Sequence, residues 1–280
     1  MTADAASHPL DGPRGKLVRA VQQATFLVEH CEAYGNGALR LAPRFENGAH
    51  YVYLEGDPPP LYLGLILGEI VHDLRSALDQ LAWQLALLHE DPEVLEDPRV
   101  GNAIYFPITY SIEKFETNRT TPHLSAEAAA LIESRQPYHN DGLALVNPLA
   151  ILHAWSNDDK HRSLTPSLGQ LSMDDVAFQA DAVIDINDVK LLAPDSSVID
   201  RAEPLLRIPA PEQAHIVFSP IPVRVCFLSH VTGVADILHA AKVPQLCEEI
   251  AGCISSFEPM FTAVDWSGRA TSWTTPELPA

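Results

Sequence analysis

Basic residues are scarce in this sequence: 18 Lys and Arg stand against 37 Asp and Glu in 280 residues, a formal net charge of −19. The deficit runs through both halves, with 12 basic and 22 acidic side chains in residues 1–166 and 6 and 15 in residues 167–280. Duplex DNA binding rests on neutralising phosphates with Lys and Arg, and an anionic membrane surface asks for the same clusters. Neither partner is expected. Cysteine is sparse too. Cys31, Cys226, Cys247 and Cys253 form no Cys-x-x-Cys pair, and the spacing of the last two is not that of zinc ligands. Four reduced, mostly buried thiols in a cytoplasmic protein are expected. No apolar run of about 18 residues is free of charge, so no membrane-spanning helix is expected. Residues 1–10 lack the basic and apolar regions of a secretory signal. The motifs GxSxG, GxGxxG and GxxxxGK[ST] are absent, which turns the reading away from α/β-hydrolase, Rossmann and P-loop chemistry. HExxH is absent as well. Pairing His153 with Asp158, or His139 with Asp141, gives no metal-ligand spacing, so neither a metal nor a cofactor is expected.

What is present describes a folded chain. Hydrophobic residues make up 46% and charged residues 20%, enough for a substantial core. Residues 1–12 read as a flexible tail. Leu17, Val21, Ala24 and Val28 keep helical spacing over 13–34, until Gly35-Asn36-Gly37 stops the pattern. Residues 49–54 are β-rich. The strongest helix spans 61–90, where Leu63, Ile66, Leu67, Ile70, Leu74, Leu78, Leu81 and Leu85 repeat at helical spacing. Asp91-Pro92 and Asp97-Pro98 end it. A short extended piece follows at 104–108, then short helices at 111–118 and 125–135. Asn147-Pro148 opens another helix to about residue 160.

From residue 164 to 228 the pattern changes to short β-type runs, at 176–180, 204–208 and 215–228, broken by Pro, Gly, Asp and Ser. The acidic run 181–188 reads as a solvated loop. Residues 244–261 return to helix, and 263–280 read as an irregular tail. The expected architecture is α+β: a helical region over 13–165, and a small antiparallel sheet with a closing helix over 166–262. The strand near residue 50 is expected to join that sheet and make one unit of the two.

Chemistry concentrates on two helices. In Gly68-Glu-Ile-Val-His-Asp-Leu-Arg-Ser-Ala-Leu-Asp-Gln-Leu-Ala-Trp83, the leucines fill one arc, and His72, Arg75, Asp79 and Trp83 line the opposite one. A plain solvent face would carry Lys and Glu, so this second face is expected to be covered. In residues 149–162, Ile151, Leu152 and Trp155 share an arc with Asp158, Asp159 and Arg162. Buried charges need partners. The expected pairs are Arg75 with Asp158 or Asp159, and Arg162 with Asp79. Two readings stay open. His72, Arg75, Asp79, Asp158, His161 and Arg162 form a site in which a His serves as acid or base and an Arg holds an anion. Alternatively, the same residues form a salt-bridge lock between helices.

At these residues the chain resembles a group of uncharacterised bacterial proteins, frequent in actinobacteria. They share an HxLRSALDxLAW helix, an FPI segment, a QPY turn and an NxDKHR helix end, here at 68–83, 106–108, 136–138 and 157–162. The resemblance covers roughly residues 50–165 and implies no activity. Asp73 stands where the group's pattern usually has Asn, a negative charge expected to alter any acid–base role of His72. A more distant likeness is to HEPN-type helical domains, many of them metal-independent RNases with an Arg-x(4–6)-His motif. Here Lys160-His161-Arg162 lies in a comparable place without that spacing. The likeness implies an endoribonuclease, with His161 or His72 as acid–base residue, Arg75 or Arg162 on the phosphate, and a groove at the two-fold interface of a homodimer. The reading placed ahead of it is a non-enzymatic protein that binds a small ligand or a partner chain.

Overall fold

The computed structural model describes residues 8–140, 146–162, 164–169, 176–192, 198–219, 224–228 and 237–262. The chain opens with a long helix, α1 (Asp11–Gly37). It passes through a hairpin of β1 (Leu39–Glu46) and β2 (Ala49–Gly56) into a second long helix, α2 (Tyr62–His89). Short helices follow: α3 (Pro92–Glu96), α4 (Pro98–Gly101), α5 (Ile112–Glu116) and α6 (Ala126–Glu133). Next comes α7 (Pro148–His161). The β-rich stretch supplies β3 (Thr165–Gly169), β4 (Phe178–Ala180), β5 (Lys190–Leu191), β6 (Leu206–Ile208), β7 (Ile216–Phe218), β8 (Arg224–Leu228) and β9 (Ile237–His239). Helices α8 (Val243–Ser255) and α9 (Glu258–Thr262) close the described part. The fold class is α+β, as the patterns predict.

Local chemistry accounts for several boundaries. Asn147 caps α7, its side-chain oxygen accepting from the N–H groups of Leu149 at 2.9 Å and Ala150 at 3.3 Å. Ser125 caps α6 through Ala128 N. Asp91 and Asp97, which the sequence reads only as helix enders, each also start a short helix, accepting from Glu93 N and Arg99 N. The β1–β2 turn holds Asn47 and Gly48 at positive φ, 49° and 77°, the backbone of a tight hairpin turn.

Two expectations are corrected and two are refined. Residues 8–12 are not tail: Leu10 is fully buried and α1 starts at Asp11. β1 has no counterpart in the sequence reading. It is an edge strand with its side chains largely open; Leu39, Leu41 and Phe45 do alternate with Arg40, Ala42 and Arg44, but Pro43 interrupts the run and argues against a strand there. The single small sheet is three antiparallel sheets, ordered β1-β2-β6-β5, β3-β8-β9 and β4-β7. The closing helix is two, α8 and α9. The strand near residue 50 does join the later strands, since β2 pairs with β6 from His50↔Ile208 to Val52↔Leu206. The proposed tail at 263–280 lies outside the described residues.

Two cores hold these layers. The larger joins α1, α2, α7 and α8 to strands β8 and β9, with Leu27, Leu67, Leu74, Phe106, Trp155, Phe227 and Ile250 inside it. The smaller lies on the β2–β6 sheet around Val52, Leu54, Leu206 and Ile208. The larger core thus takes residues from both the helical region and the β-rich one. Helices α1 and α2 are also tied by charge. Asp73, 1% exposed, meets Lys16 Nζ at 2.7 Å and Arg19 Nε at 3.1 Å. The carboxylate expected to disturb His72 is therefore engaged with α1. Cys31, Cys226, Cys247 and Cys253 are free and buried. Burial pushes the thiols of Cys31 and Cys247 up to about 12, too high for a reactive thiolate at neutral pH. Among the described residues no helix is long and apolar enough to cross a membrane.

Candidate functional site

Arg75 and Asp79, one turn apart on α2, pair with each other and not with α7. Arg75 Nε lies 3.1 Å from Asp79 Oδ2, and Nη2 lies 2.9 Å from Oδ1. The pair presents one donor and one acceptor side by side. Arg75 Nη2 donates to the Phe106 carbonyl at 2.8 Å, and Asp79 Oδ1 accepts from the Phe106 N–H at 3.0 Å. A neighbouring β-strand would offer the same two groups. The covered second face of α2 is thus real at these positions, and the cover is the FPI segment.

That segment runs extended outside any ladder, so its backbone polar groups need other partners. Side chains supply them. Fully buried Thr120 accepts from Tyr105 N at 3.1 Å and donates to Tyr105 O at 2.8 Å. Fully buried Gln136 accepts from Thr109 N at 2.8 Å and donates to Pro107 O at 2.9 Å and Ile132 O at 3.1 Å. Between these anchors the fully buried Phe106 ring enters the core, a burial that contributes about 2–3 kcal/mol. Three motifs far apart in sequence are therefore one clamp.

The expected pairs Arg75–Asp158, Arg75–Asp159 and Arg162–Asp79 give way to this arrangement. A same-helix carboxylate at i+4 reaches Arg75 at little entropic cost, and the two oxygens of Asp79 are already occupied. Asp158 is buried, and His161 and Arg162 are exposed at the C-terminal end of α7. Of the six candidate residues, Arg75 and Asp79 are joined directly to each other.

A polar seam does run between α2 and α7. Helix α7 crosses close to Gly68: a Cβ there would stand 2.2 Å from Asp159 Oδ1. One turn along α2 is exposed His72, whose Nε2 lies 3.4 Å from Ser76 Oγ. Burial holds the Asp159 carboxyl above its ordinary value, opposed by the nearby charges of His72 and Lys160. On α7, Asn157 donates its amide to His153 Nε2 at 3.1 Å, which leaves the proton of the neutral ring on Nδ1. Tyr110 packs edge-on against His153, with ring centroids 6.2 Å apart. Sequence reasoning considered His153 only as a metal ligand and missed Ser76, Asn157 and Tyr110. The i, i+4 spacing of His153 and Asn157 was the available signal.

Burial, then the positive fields of Arg75 and Lys160, hold His153 below its usual 6.5. A depressed folded-state pKa gives a contribution to stability that is present above pH 6.5 and lost as pH falls through the folded value. The expected result is that the wild-type melting temperature falls more between pH 7 and pH 5 than that of His153→Asn. Parallel curves would remove His153 from the acid response.

Asp79 also lines a cavity of about 700 Å³ with Trp83, Leu87, Leu88 and Phe261. Those walls are mostly apolar, and the other seam residues are not among them. No group of three or more His, Cys, Asp or Glu able to hold a metal occurs among the described residues. No protein-family model, curated protein or solved structure matches the chain.

Proposed function

We propose that the chain is a non-enzymatic cytoplasmic binding protein that takes a small anionic ligand in the seam between α2 and α7. One observation carries this reading: the commitment of side chains is divided. Arg75 and Asp79 are engaged with Phe106, whereas His72 and Lys160 stay exposed and Ser76 and Asn157 half-exposed at the seam. Those four supply cationic and hydrogen-bonding groups to a ligand oxygen, and the charges of His72 and Lys160 offset that of Asp159 nearby. A guanidinium fixed on a backbone carbonyl is poorly placed to follow a reacting phosphate.

The melting temperature of the full chain against inorganic phosphate and adenosine 5′-monophosphate tests the reading. A ligand at 100 times its dissociation constant stabilises by about 2.7 kcal/mol. His72→Ala and Lys160→Ala are expected to abolish the shift while leaving the unliganded melting temperature unchanged. A shift of the same size in both variants would remove the seam as the site.

The second reading, a HEPN-like metal-independent endoribonuclease, is favoured by one observation. His161 and Arg162 are open to solvent at the end of α7, as cleavage of a polynucleotide requires. Incubation with single-stranded RNA decides between the two. Cleavage lost in His161→Ala, with melting unchanged, replaces the binding reading with the nuclease one.

A further inference from the structure

Strands β8 and β9 place a second group of polar side chains far along the sequence from the seam. Cys226 faces His239 across the β8–β9 pair, and Arg224 faces Gly169 across the β3–β8 pair. Arg224 and Cys226 are two residues apart, so Arg224, Cys226 and His239 share one face of this sheet. Gly169 makes room for the imidazole: a Cβ there would stand 3.0 Å from His239 Cε1. Among the described residues His239 Nδ1 is buried there without a hydrogen-bond partner.

The C-terminal part of α1 packs against the Val225 and Phe227 side of β8 and leaves a gap beside Arg224. A cavity of about 310 Å³ remains, lined by Val28, Cys31, Glu32, Arg224, Val225 and His239 among others. That is the lower end of the size range for small-molecule sites. His239 is also part of the wall of a neighbouring, mostly apolar cavity of about 300 Å³ that includes Ile151, Leu238, Lys242 and Glu249. Among the described residues Arg224 has no carboxylate partner, in contrast to Arg14, Lys16, Arg19, Arg40, Arg44 and Arg75. Burial and the positive charges of Arg224 and Lys242 keep His239 below its usual 6.5, so the ring stays neutral and hydrogen-bonding at neutral pH.

We propose that the cavity between α1 and the β8–β9 pair is a second binding site, for a small apolar monocarboxylate. The ligand's carboxylate meets Arg224 and the His239 ring, and its hydrocarbon lies on Val28, Val225 and Ala240. The charge balance sets the class. Arg224 attracts one negative charge, but Glu32 lines this cavity and Glu249 its neighbour, so a second negative charge on the ligand meets repulsion in either. The apolar floor disfavours short hydrophilic acids.

Calorimetric titration of the full chain with octanoate, suberate and octan-1-ol tests this. Octanoate is expected to bind at least tenfold more tightly than either of the others. Arg224→Gln lowers octanoate affinity at least tenfold, and Ala241→Trp, at an exposed wall position, abolishes binding. Both variants are expected to melt as the wild type does. His72→Ala, in the α2–α7 seam, leaves octanoate binding unchanged, so this site and the seam stand or fall separately. Absence of octanoate binding, or equal affinity in Arg224→Gln and wild type, or binding that survives Ala241→Trp, overturns the proposal.

Discussion

Gln136→Ala is expected to destabilise the protein by about 3–5 kcal/mol. Three buried partners lose their contacts together. Thr109 N–H loses its acceptor, Pro107 O and Ile132 O lose their donor, and the Thr109 hydroxyl, 3.2 Å from Gln136 Oε1, loses a fourth contact. Each buried group left unsatisfied costs about 1–3 kcal/mol, and the space of the lost side chain adds a cavity term. Ile132 O still has its helical environment, so the sum stays below the arithmetic maximum. At about 2–4 °C per kcal/mol for a chain of this size, the melting temperature falls by roughly 6–20 °C. Urea unfolding read by tryptophan fluorescence measures it. A loss under 1 kcal/mol would mean that water replaces the amide, and that the 103–109 segment does not depend on its side-chain anchors. Ser134→Ala, nearby on the surface, is the control, since its hydroxyl reaches only its own helix at Leu131 O.

The clamp explains how much of this molecule could be read beforehand. Long helices were legible because an apolar stripe repeats many times over α2, and the caps at Ser125 and Asn147 act within three residues of themselves. The covered face of α2 was legible too, since Arg75, Asp79 and Trp83 are an unusual composition for a solvent face. The identity of the cover was not. Charge complementarity points a lone Arg to the nearest free carboxylate on another helix, and the pattern cannot show that a backbone segment 27 residues away competes for the same fork. β1 escaped for a different reason: Leu39, Leu41 and Phe45 alternate with their neighbours, but Pro43 among them argues against a strand and is tolerated only because β1 lies at the sheet edge. The polar seam was half legible: His72 and α7 were singled out, but the close approach that joins them depends on Gly68, a residue whose contribution is the absence of a side chain.

Gly68→Ala should change sign with its background. In the wild type the new methyl falls 2.2 Å from Asp159 Oδ1 and 2.9 Å from Cγ, so the carboxylate or α7 must move. Overpacking of this kind costs about 1–3 kcal/mol, more than the roughly 1 kcal/mol that alanine gains over glycine inside a helix. In an Asp159→Ala background those atoms are gone, and the helix preference remains. There Gly68→Ala should be neutral or stabilise by up to about 1 kcal/mol. Asp159→Ala itself should be mild at neutral pH, because a carboxyl whose pKa burial raises is less stable ionised in the folded state than in the unfolded one. The coupling energy of the cycle is then about 1–3 kcal/mol, the size expected of direct neighbours. Gly64→Ala provides the contrast. Its methyl would meet the Leu164 carbonyl at 1.9 Å, a backbone atom that cannot turn aside, so it should cost about 3 kcal/mol whether or not Asp159 is present. Additive effects at Gly68 and Asp159 in urea unfolding would mean that α7 does not cross α2 at this glycine. The polar seam, and the ligand proposed for it, would then lose their geometric basis.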